Sequence, residues 1–207
     1  LLKNSFEGNT TGDTRVMSAY VSDVAEVLPK LSVMASLRVD NFKSETGNWS
    51  ADGAKSQTAL SPKFGFVYQP IRDKVSVFGN YMNGFVNVAP RSVADADGSN
   101  QRLKTFSPEN ANQVELGVKT NLYENKVAAT ASVYNINVRN RVMTDPTNVN
   151  NSIQGGEVKS QGIEISVIAN PIEGLNLVAG YSKNKSEVTK DYEENGYLGL
   201  RPEEAGP

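Results

Sequence analysis

The stretch PKLSVMASLRVDNF, residues 29–42, alternates between apolar and mostly polar side chains. The apolar set is Leu31, Val33, Ala35, Leu37 and Val39. The intervening positions carry Ser, Met, Ser, Arg and Asp. A two-residue period predicts a β-strand with two unlike faces. Two folds use such a strand: a soluble sandwich, with its apolar face in a core, and an outer-membrane barrel, with its apolar face in lipid and its polar face in a wet lumen.

Similar segments recur along the chain, whereas no long helical stripe with a cap before it and glycine after it is found. The predicted strands are 15–28, 30–42, 58–69, 74–87, 105–122, 126–142, 156–170 and 175–189. The predicted connections alternate between short turns (28–30, 70–73, 123–125 and 171–174) and long polar loops (43–57, 88–104 and 143–155). The sequence therefore predicts an all-β, antiparallel up-and-down meander, and the sorting of short from long connections favours a membrane barrel.

Strand length and the placement of charged residues also favour a membrane barrel. Thirteen residues at roughly 3.3 Å each, tilted by about 40°, rise on the order of 30 Å, which is enough to cross an outer membrane. Arg38, Glu115, Lys119 and Glu164 lie in mid-strand, where a lipid-facing charge would be costly, so we assign them to the lumen. In segments 15–28 and 126–142 either face could be the lipid-facing one, and the sequence assigns neither.

Composition excludes several kinds of chemistry. The chain has no Cys and no His, which removes disulfides, thiolate metal sites and His-based acid–base catalysis. Its formal net charge is −2, with no basic patch that would indicate a nucleic-acid partner. No apolar run is long enough for a membrane-spanning helix. We therefore predict a protein that is not an enzyme, with no catalytic residues, no metal ligands and no cofactor.

Four stretches, in order, resemble TonB-dependent outer-membrane receptors of the ferric-siderophore type. MSAYVSDVAEVLPKLSVMASLRVDNF resembles their Y-V-Q-D-x-W strand, turn and L-G-x-R-Y-D strand, and LSPKFGFVYQPIRDKVSVFGNYMNGF resembles their S-P-R-x-G-x-x-Y-x-P hairpin. FSPENANQVELGVKTNLYENKVAATASVYNINVRN resembles their L-x-P-E-x-x-x-x-x-E-L-G-x-K piece with the hairpin that follows it, and GGEVKSQGIEISVIANPIEGLNLVAGYS resembles their G-E-x-x-S-x-G-x-E segment with its P-x-x-G-L turn. Ser107 replaces the usual Lys before Pro108, and Val39 replaces the usual aromatic residue before Asp40. Together the matches cover about residues 15–189.

The resemblance implies more than the chain contains. These receptors form a roughly 22-stranded transmembrane β-barrel plugged by an N-terminal domain, and the eight strands here correspond to roughly the tenth to the seventeenth. We expect residues 1–207 to be a barrel fragment without the plug, the remaining strands or the coupling motif, and with open sheet edges at both ends. The implied function is the binding and import of a ferric siderophore, with iron entering only as the chelate. The implied partners are the inner-membrane TonB energy-transducing complex, contacted through the absent N-terminal part, and outer-membrane lipid. A soluble all-β binding or adhesion domain, and a receptor for cobalamin or a glycan, remain alternatives.

Two loops carry candidate ligand chemistry. In residues 95–100, DADGSN, the oxygen ligands Asp95, Asp97 and Asn100 suggest a calcium loop, but its glycine comes too early and Phe106 stands where the twelfth-position Glu should be. Trp49, Arg91 and Arg102 have the aromatic face and positive charge suited to an anionic iron chelate. Packing of Trp49 within its own loop, with both arginines facing water or surface lipopolysaccharide, is the favoured explanation of these residues, so the sequence assigns no binding residue.

Overall fold

The described residues of the computed structural model, 12–46, 55–191 and 196–202, are organised around one antiparallel sheet. Its strands follow chain order, and a separate two-stranded sheet, β5–β6, is inserted between β4 and β7. The strands are β1 Gly12–Leu28, β2 Leu31–Thr46, β3 Lys55–Ile71, β4 Val75–Val86, β5 Arg91–Val93, β6 Arg102–Lys104, β7 Glu109–Leu122, β8 Val127–Asp145, β9 Asn148–Ala169 and β10 Leu177–Lys190. The eight predicted strands and their up-and-down order are confirmed. Within these residues no helix is long and apolar enough to cross a membrane.

Strand pairing assigns the two faces, because directly paired residues on antiparallel strands share a face. An exposed apolar set runs across the whole sheet through successive pairings, and we call its side the outer face. It includes Val21, Leu37, Phe64, Tyr81, Leu116, Val133, Ile165 and Tyr181. The two strands that the sequence left open are thereby resolved, since Val21 pairs with Leu37 and Val133 pairs with both Leu116 and Ile163.

The opposite side, which we call the inner face, holds the buried polar residues Asp40, Ser61 and Ser132. Asp40 is only 1% exposed, and its carboxylate lies 2.8 Å from Nη2 of Arg38, which also donates to Ser18 at 3.1 Å. A buried charge requires such a partner because its desolvation would otherwise be uncompensated. Strand pairing places the other mid-strand charges, Glu115, Lys119 and Glu164, on the same face as Ser132, so the charges predicted to avoid lipid all lie on the inner face.

Three glycines allow an aromatic ring of the neighbouring strand to lie flat on the sheet. The direct pairs are Gly79 with Phe66, Gly117 with Phe78, and Gly162 with Tyr134. A Cβ atom at each glycine would lie within 2.4–2.8 Å of an atom of that ring. Each ring therefore occupies the space that a side chain would fill, which ties adjacent strands together on both faces.

Several predicted bounds are wrong: β2 runs to Thr46 and β3 begins at Lys55, both inside the predicted loop 43–57, and β7 begins at Glu109 instead of at 105. The largest difference is in a second predicted loop. Residues 143–155 are mostly strand: β8 continues to Asp145 and β9 begins at Asn148, so only two residues form the turn. Asp145 closes the turn by accepting hydrogen bonds from the backbone N and the hydroxyl of Thr147, at 3.0 and 2.7 Å. Asn151 donates to the same carboxylate at 2.9 Å. The turn signal thus lay in Asp-Pro-Thr alone, and the surrounding Asn-rich residues pair as strands.

Candidate ligand-binding surface

Residues 87–108, which we call the strap, connect β4 to β7 and include the β5–β6 hairpin. Val93 and Phe106 of the strap are only 1% and 3% exposed, among the most buried side chains described. The strap reaches the inner face at β3, where Nε2 of Gln57 donates to the carbonyl of Phe106 at 2.7 Å. The predicted loop 88–104 is therefore an ordered segment packed onto the sheet.

The first residues of β9 hold the strap through a series of polar contacts. Nδ2 of Asn148 donates to the carbonyl of Ala94 at 2.9 Å, and the backbone N of Ala94 donates to the carbonyl of Asn150 at 2.8 Å. Further along β9, Lys104 donates to the carbonyl of Ser152 at 2.6 Å. The last residue of β9 in this series of contacts with the strap is Gln154.

The Gln154 amide contacts Ser107 with both of its polar atoms. Its Oε1 accepts from the backbone N of Ser107 at 2.9 Å, and its Nε2 donates to the carbonyl of the same residue at 2.7 Å. This paired contact satisfies both backbone groups of a strap residue at once. The extended β8–β9 hairpin and the strap therefore form one hydrogen-bonded unit at the loop end of the sheet.

The DADGSN turn inside the strap is closed by its own side chains. Asn100 and Arg102 donate to Asp95, at 2.7 and 3.2 Å, and these hydrogen bonds hold the pKa of the Asp95 carboxyl below its usual value. The hydroxyl and backbone N of Ser99 lower the pKa of Asp97 in the same way. Gly98 has φ = 82°, a left-handed conformation that glycine adopts without strain. The carboxylates that suggested a cation loop are thus engaged within the turn. No group of three acidic, His or Cys side chains able to hold a metal is found in the described ranges.

The structure separates the candidate ligand contacts that looked alike in the sequence. Arg102 is committed to Asp95 and to the carbonyl of Asn100, at 3.2 and 3.1 Å. Arg91 instead lines a cavity on the β8–β10 side of the strap. Trp49 lies outside the described residues.

This cavity has a volume of ≈ 200 Å³ and is walled by the strap and by β8, β9, β10 and the segment after β10. Its charged and aromatic lining residues are Arg91, Arg141, Glu157, Lys190, Asp191 and Tyr197. The apolar side chains of Val158 and Val188, both buried, also line it. Arg141 was missed by sequence analysis because it lies near the end of the predicted segment 126–142, whose faces could not be assigned. The feature that could have drawn attention to it is its position at the loop end of that strand.

The remaining inner face forms a polar wall below this cavity. Nδ2 of Asn80 donates to Glu115 at 3.0 Å, and the ammonium of Lys119 lies 5.2 Å from the centre of the Phe78 ring. Glu164 lines a second, open pocket of ≈ 670 Å³ together with these residues. Such a wall suits contact with water or with a polar protein surface, whereas the outer face suits lipid.

Comparison with known proteins identifies the protein family of this chain. The sequence matches the family described as TonB dependent receptor-like, beta-barrel over residues 3–203. It is similar to the Metal-pseudopaline receptor CntO of Pseudomonas aeruginosa, with 25% identity over 84% of this chain and 25% of that protein. It is also similar to the ferrichrome outer membrane transporter/phage receptor of Escherichia coli, with 31% identity over 56% of this chain and 15% of that protein. The chain thus spans about a quarter or less of the length of these relatives.

Solved structures share the fold. The ferric preacinetobactin receptor BauA of Acinetobacter baumannii superposes with a TM-score of 0.74 at 24% identity, covering 93% of this chain and 28% of that one. The closed form of the ferric-catecholate import receptor Fiu of Escherichia coli gives a TM-score of 0.70 at 22% identity, covering 92% and 30%. The chain belongs to the TonB-dependent receptor β-barrel family, and its eight-stranded sheet is part of the wall of an outer-membrane barrel.

Proposed function

We propose that the receptor containing this chain binds a ferric siderophore at the cell surface and imports it through the barrel, energised by the TonB complex of the inner membrane. The family match supports this proposal, as do the functions of several relatives, which include a ferrichrome transporter and a catecholate siderophore receptor. Iron enters as part of the chelate, so the protein needs no resident metal or cofactor. The chemistry is binding and gating, with no bond made or broken in the substrate, and the protein is not an enzyme.

The observation that carries the proposal is the strap fastened to the β8–β9 hairpin beside a cationic cavity. The two connections lie at the same end of the sheet, because the chain reverses direction at every strand. Hydrogen bonds from Asn148 and Gln154 order the strap before any ligand arrives. A binding surface ordered in advance loses less conformational entropy when it takes up a ligand. This part of the receptor therefore supplies a prebuilt portion of the surface-exposed binding site.

Deletion of the gene followed by uptake of radioactive iron tests the proposal. Cells grown under iron limitation are expected to lose uptake of at least one ferric chelate, and a plasmid copy of the full-length receptor should restore it. A second deletion that removes the TonB energy-transducing protein should abolish the restored uptake. Unchanged uptake of every ferric chelate, with loss of cobalamin or glycan uptake instead, would reject the siderophore assignment and leave a receptor for a different nutrient.

A further inference from the structure

We propose that Arg91 and Arg141 form a subsite for a free carboxylate of the chelate, so that the receptor's substrate class is a ferric siderophore that carries carboxylates outside the iron centre. This inference rests on the proposed function and narrows it. It concerns the cavity between the strap and β8–β10, where both arginines lie.

Both guanidinium groups are available. Among the described residues neither Arg91 nor Arg141 makes a side-chain hydrogen bond or ion pair, in contrast to Arg102, which binds Asp95. The third cation of the cavity, Lys190, lies 4.0 Å from Glu157 and is partly neutralised by it. The two arginines are thus the donors that a ligand would meet.

Arg141 is held in place by an irregularity in β8. The pairing of β8 with β9 shifts register on both sides of Arg141, and the preceding Asn140 has φ = 63°. A bulge of this kind redirects the side chain that follows it. The strap fixes the bulge, since Nδ2 of Asn140 donates to the carbonyl of Pro108 at 3.1 Å. On the other side, Gln154 donates to the carbonyl of Asn140, also at 3.1 Å.

The residue after Arg141 is anchored as well, because the backbone N of Val142 donates to the Glu109 carboxylate at 3.2 Å. The backbone on both sides of Arg141 is therefore held by contacts from the strap, β7 and β9. A guanidinium on so fixed a backbone loses less freedom on binding than one on a free loop. The positioning indicates a built site more than a solvated arginine.

Size and charge select the part of the ligand that fits. A volume of ≈ 200 Å³ is below the range of about 300–1,000 Å³ usual for whole small-molecule ligands, so only an arm of the chelate enters. Three cationic and two anionic side chains line the cavity, giving a net charge of +1. A net charge of +1 suits one carboxylate. A trianionic iron centre would carry more negative charge than the cavity balances and would be repelled by Glu157 and Asp191.

The chemistry of the guanidinium points to the same group. Its planar fork of N–H donors matches the two oxygens of a carboxylate, which a compact ammonium does not. A ferric trihydroxamate centre is neutral and has no need of paired arginines. A ferric tricatecholate presents flat aromatic faces, and Tyr197 supplies the one aromatic ring among the described lining residues.

The test measures binding to the purified full-length receptor in detergent, using three ferric chelates. Ferric citrate carries carboxylates beyond those on the metal, whereas ferric enterobactin and ferrioxamine B carry no free carboxylate. Ferric citrate should bind most tightly of the three. Arg141→Ala should weaken its binding by about 10- to 100-fold, the usual effect of losing a charge-assisted hydrogen-bonded pair. Arg141→Lys should fall between Arg141→Ala and the wild type, because it keeps the charge and loses the fork.

Two further variants keep the test independent of folding. Arg91→Ala changes an exposed strap residue and should also weaken ferric citrate binding. Arg139→Ala is the matched control, since Arg139 is an exposed arginine of the same strand that does not line the cavity. It should leave the affinity unchanged.

The possible failures are distinguishable. Tighter binding of ferrioxamine B or ferric enterobactin than of ferric citrate would overturn the carboxylate subsite and leave the proposed function standing. Equal ferric citrate affinity in the wild type, Arg91→Ala and Arg141→Ala would do the same. Binding of no ferric chelate, together with iron uptake that deletion does not change, would reject the proposed function itself.

Discussion

The Gly117→Ala substitution is expected to destabilise the barrel wall, although it adds a single methyl group. The new Cβ would lie 2.4 Å from Cζ of Phe78 and 2.8 Å from the carbonyl oxygen of Ala131. The ring could rotate away, but the carbonyl belongs to the neighbouring strand and cannot move without shifting the pairing between β7 and β8. The clash is therefore with backbone as well as with a side chain.

The magnitude follows from two opposing effects. Forcing an extra methyl group into a filled space costs about 1–3 kcal/mol. Replacing glycine by alanine at a compatible backbone position gains about 0.4–1 kcal/mol by reducing the freedom of the unfolded chain. We therefore expect a net loss of about 1–2 kcal/mol for Gly117→Ala. The matched control is Gly65→Ala, whose Cβ would have its closest contact at 3.5 Å and should be neutral or slightly stabilising.

A graded series makes the test sharper. At Gly79 the three atoms nearest to a new Cβ all belong to the Phe66 ring, the closest at 2.5 Å, so Gly79→Ala should fall between the other two variants. The assay is the temperature at which the full-length receptor loses its compact, unheated mobility in a detergent gel. The expected order of midpoints is Gly65→Ala at or above wild type, then Gly79→Ala, then Gly117→Ala. Equal midpoints for Gly65→Ala and Gly117→Ala would refute the idea that the cross-strand ring requires a glycine beneath it.

Three further predictions test the faces and the strap. Ile165→Arg on the outer face should destabilise the membrane-inserted receptor by up to about 2–4 kcal/mol, whereas Ser166→Arg on the inner face should be tolerated. Urea unfolding of the receptor from lipid vesicles measures both variants, and a similar loss of stability in the two would contradict the face assignment. Gln154→Ala removes both hydrogen bonds to Ser107, so limited trypsin digestion should cut the strap at least several-fold faster than in wild type, and an unchanged rate would show that the strap is held elsewhere. The pKa of Asp95 in the folded receptor is lowered from its ordinary 3.8, so the stability that its carboxylate gives to the strap turn should be complete above pH 3.8 and should be lost as the pH falls through the lower folded pKa. Hydrogen-exchange protection of the turn should therefore stay constant down to about pH 4. A loss of protection at higher pH would contradict the assignment.

Most of the sheet was predictable because lipid imposes a simple pattern on one side of each strand. Where the other side is clearly polar, as around Arg38 and Glu164, the two-residue period gave both the strand and its orientation. It failed in segment 126–142 because both faces are apolar: Val133 lies on the outer face, while Ile136 and Val138 lie on the inner one. Only pairing with Leu116 and Ile163 decides between them, and that information is not local.

The loop end escaped prediction for a different reason. Above the membrane no lipid requires alternation, so residues 143–155 read as a polar loop although they pair as strands. Their conformation is set by contacts with the strap, such as that of Gln154 with Ser107, which join positions 47 residues apart. The same absence of a periodic constraint concealed the three-residue strands β5 and β6.

The two strap arginines show what residue type alone leaves undecided. From the sequence alone, Arg91 and Arg102 were equally good candidates for binding an anionic ligand. A guanidinium binds a carboxylate whether that carboxylate belongs to a substrate or to the protein. Asp95 supplies that carboxylate to Arg102, whereas Arg91 reaches a cavity shared with Arg141, which is 50 positions further along the chain. The residue type determines which chemistry a side chain can perform. Whether that side chain is available to a ligand depends on which residues distant in sequence already bind it in the folded protein. Binding residues in such loops are therefore better sought among charges that the folded strap leaves unpaired than among the most conspicuous charges of the sequence.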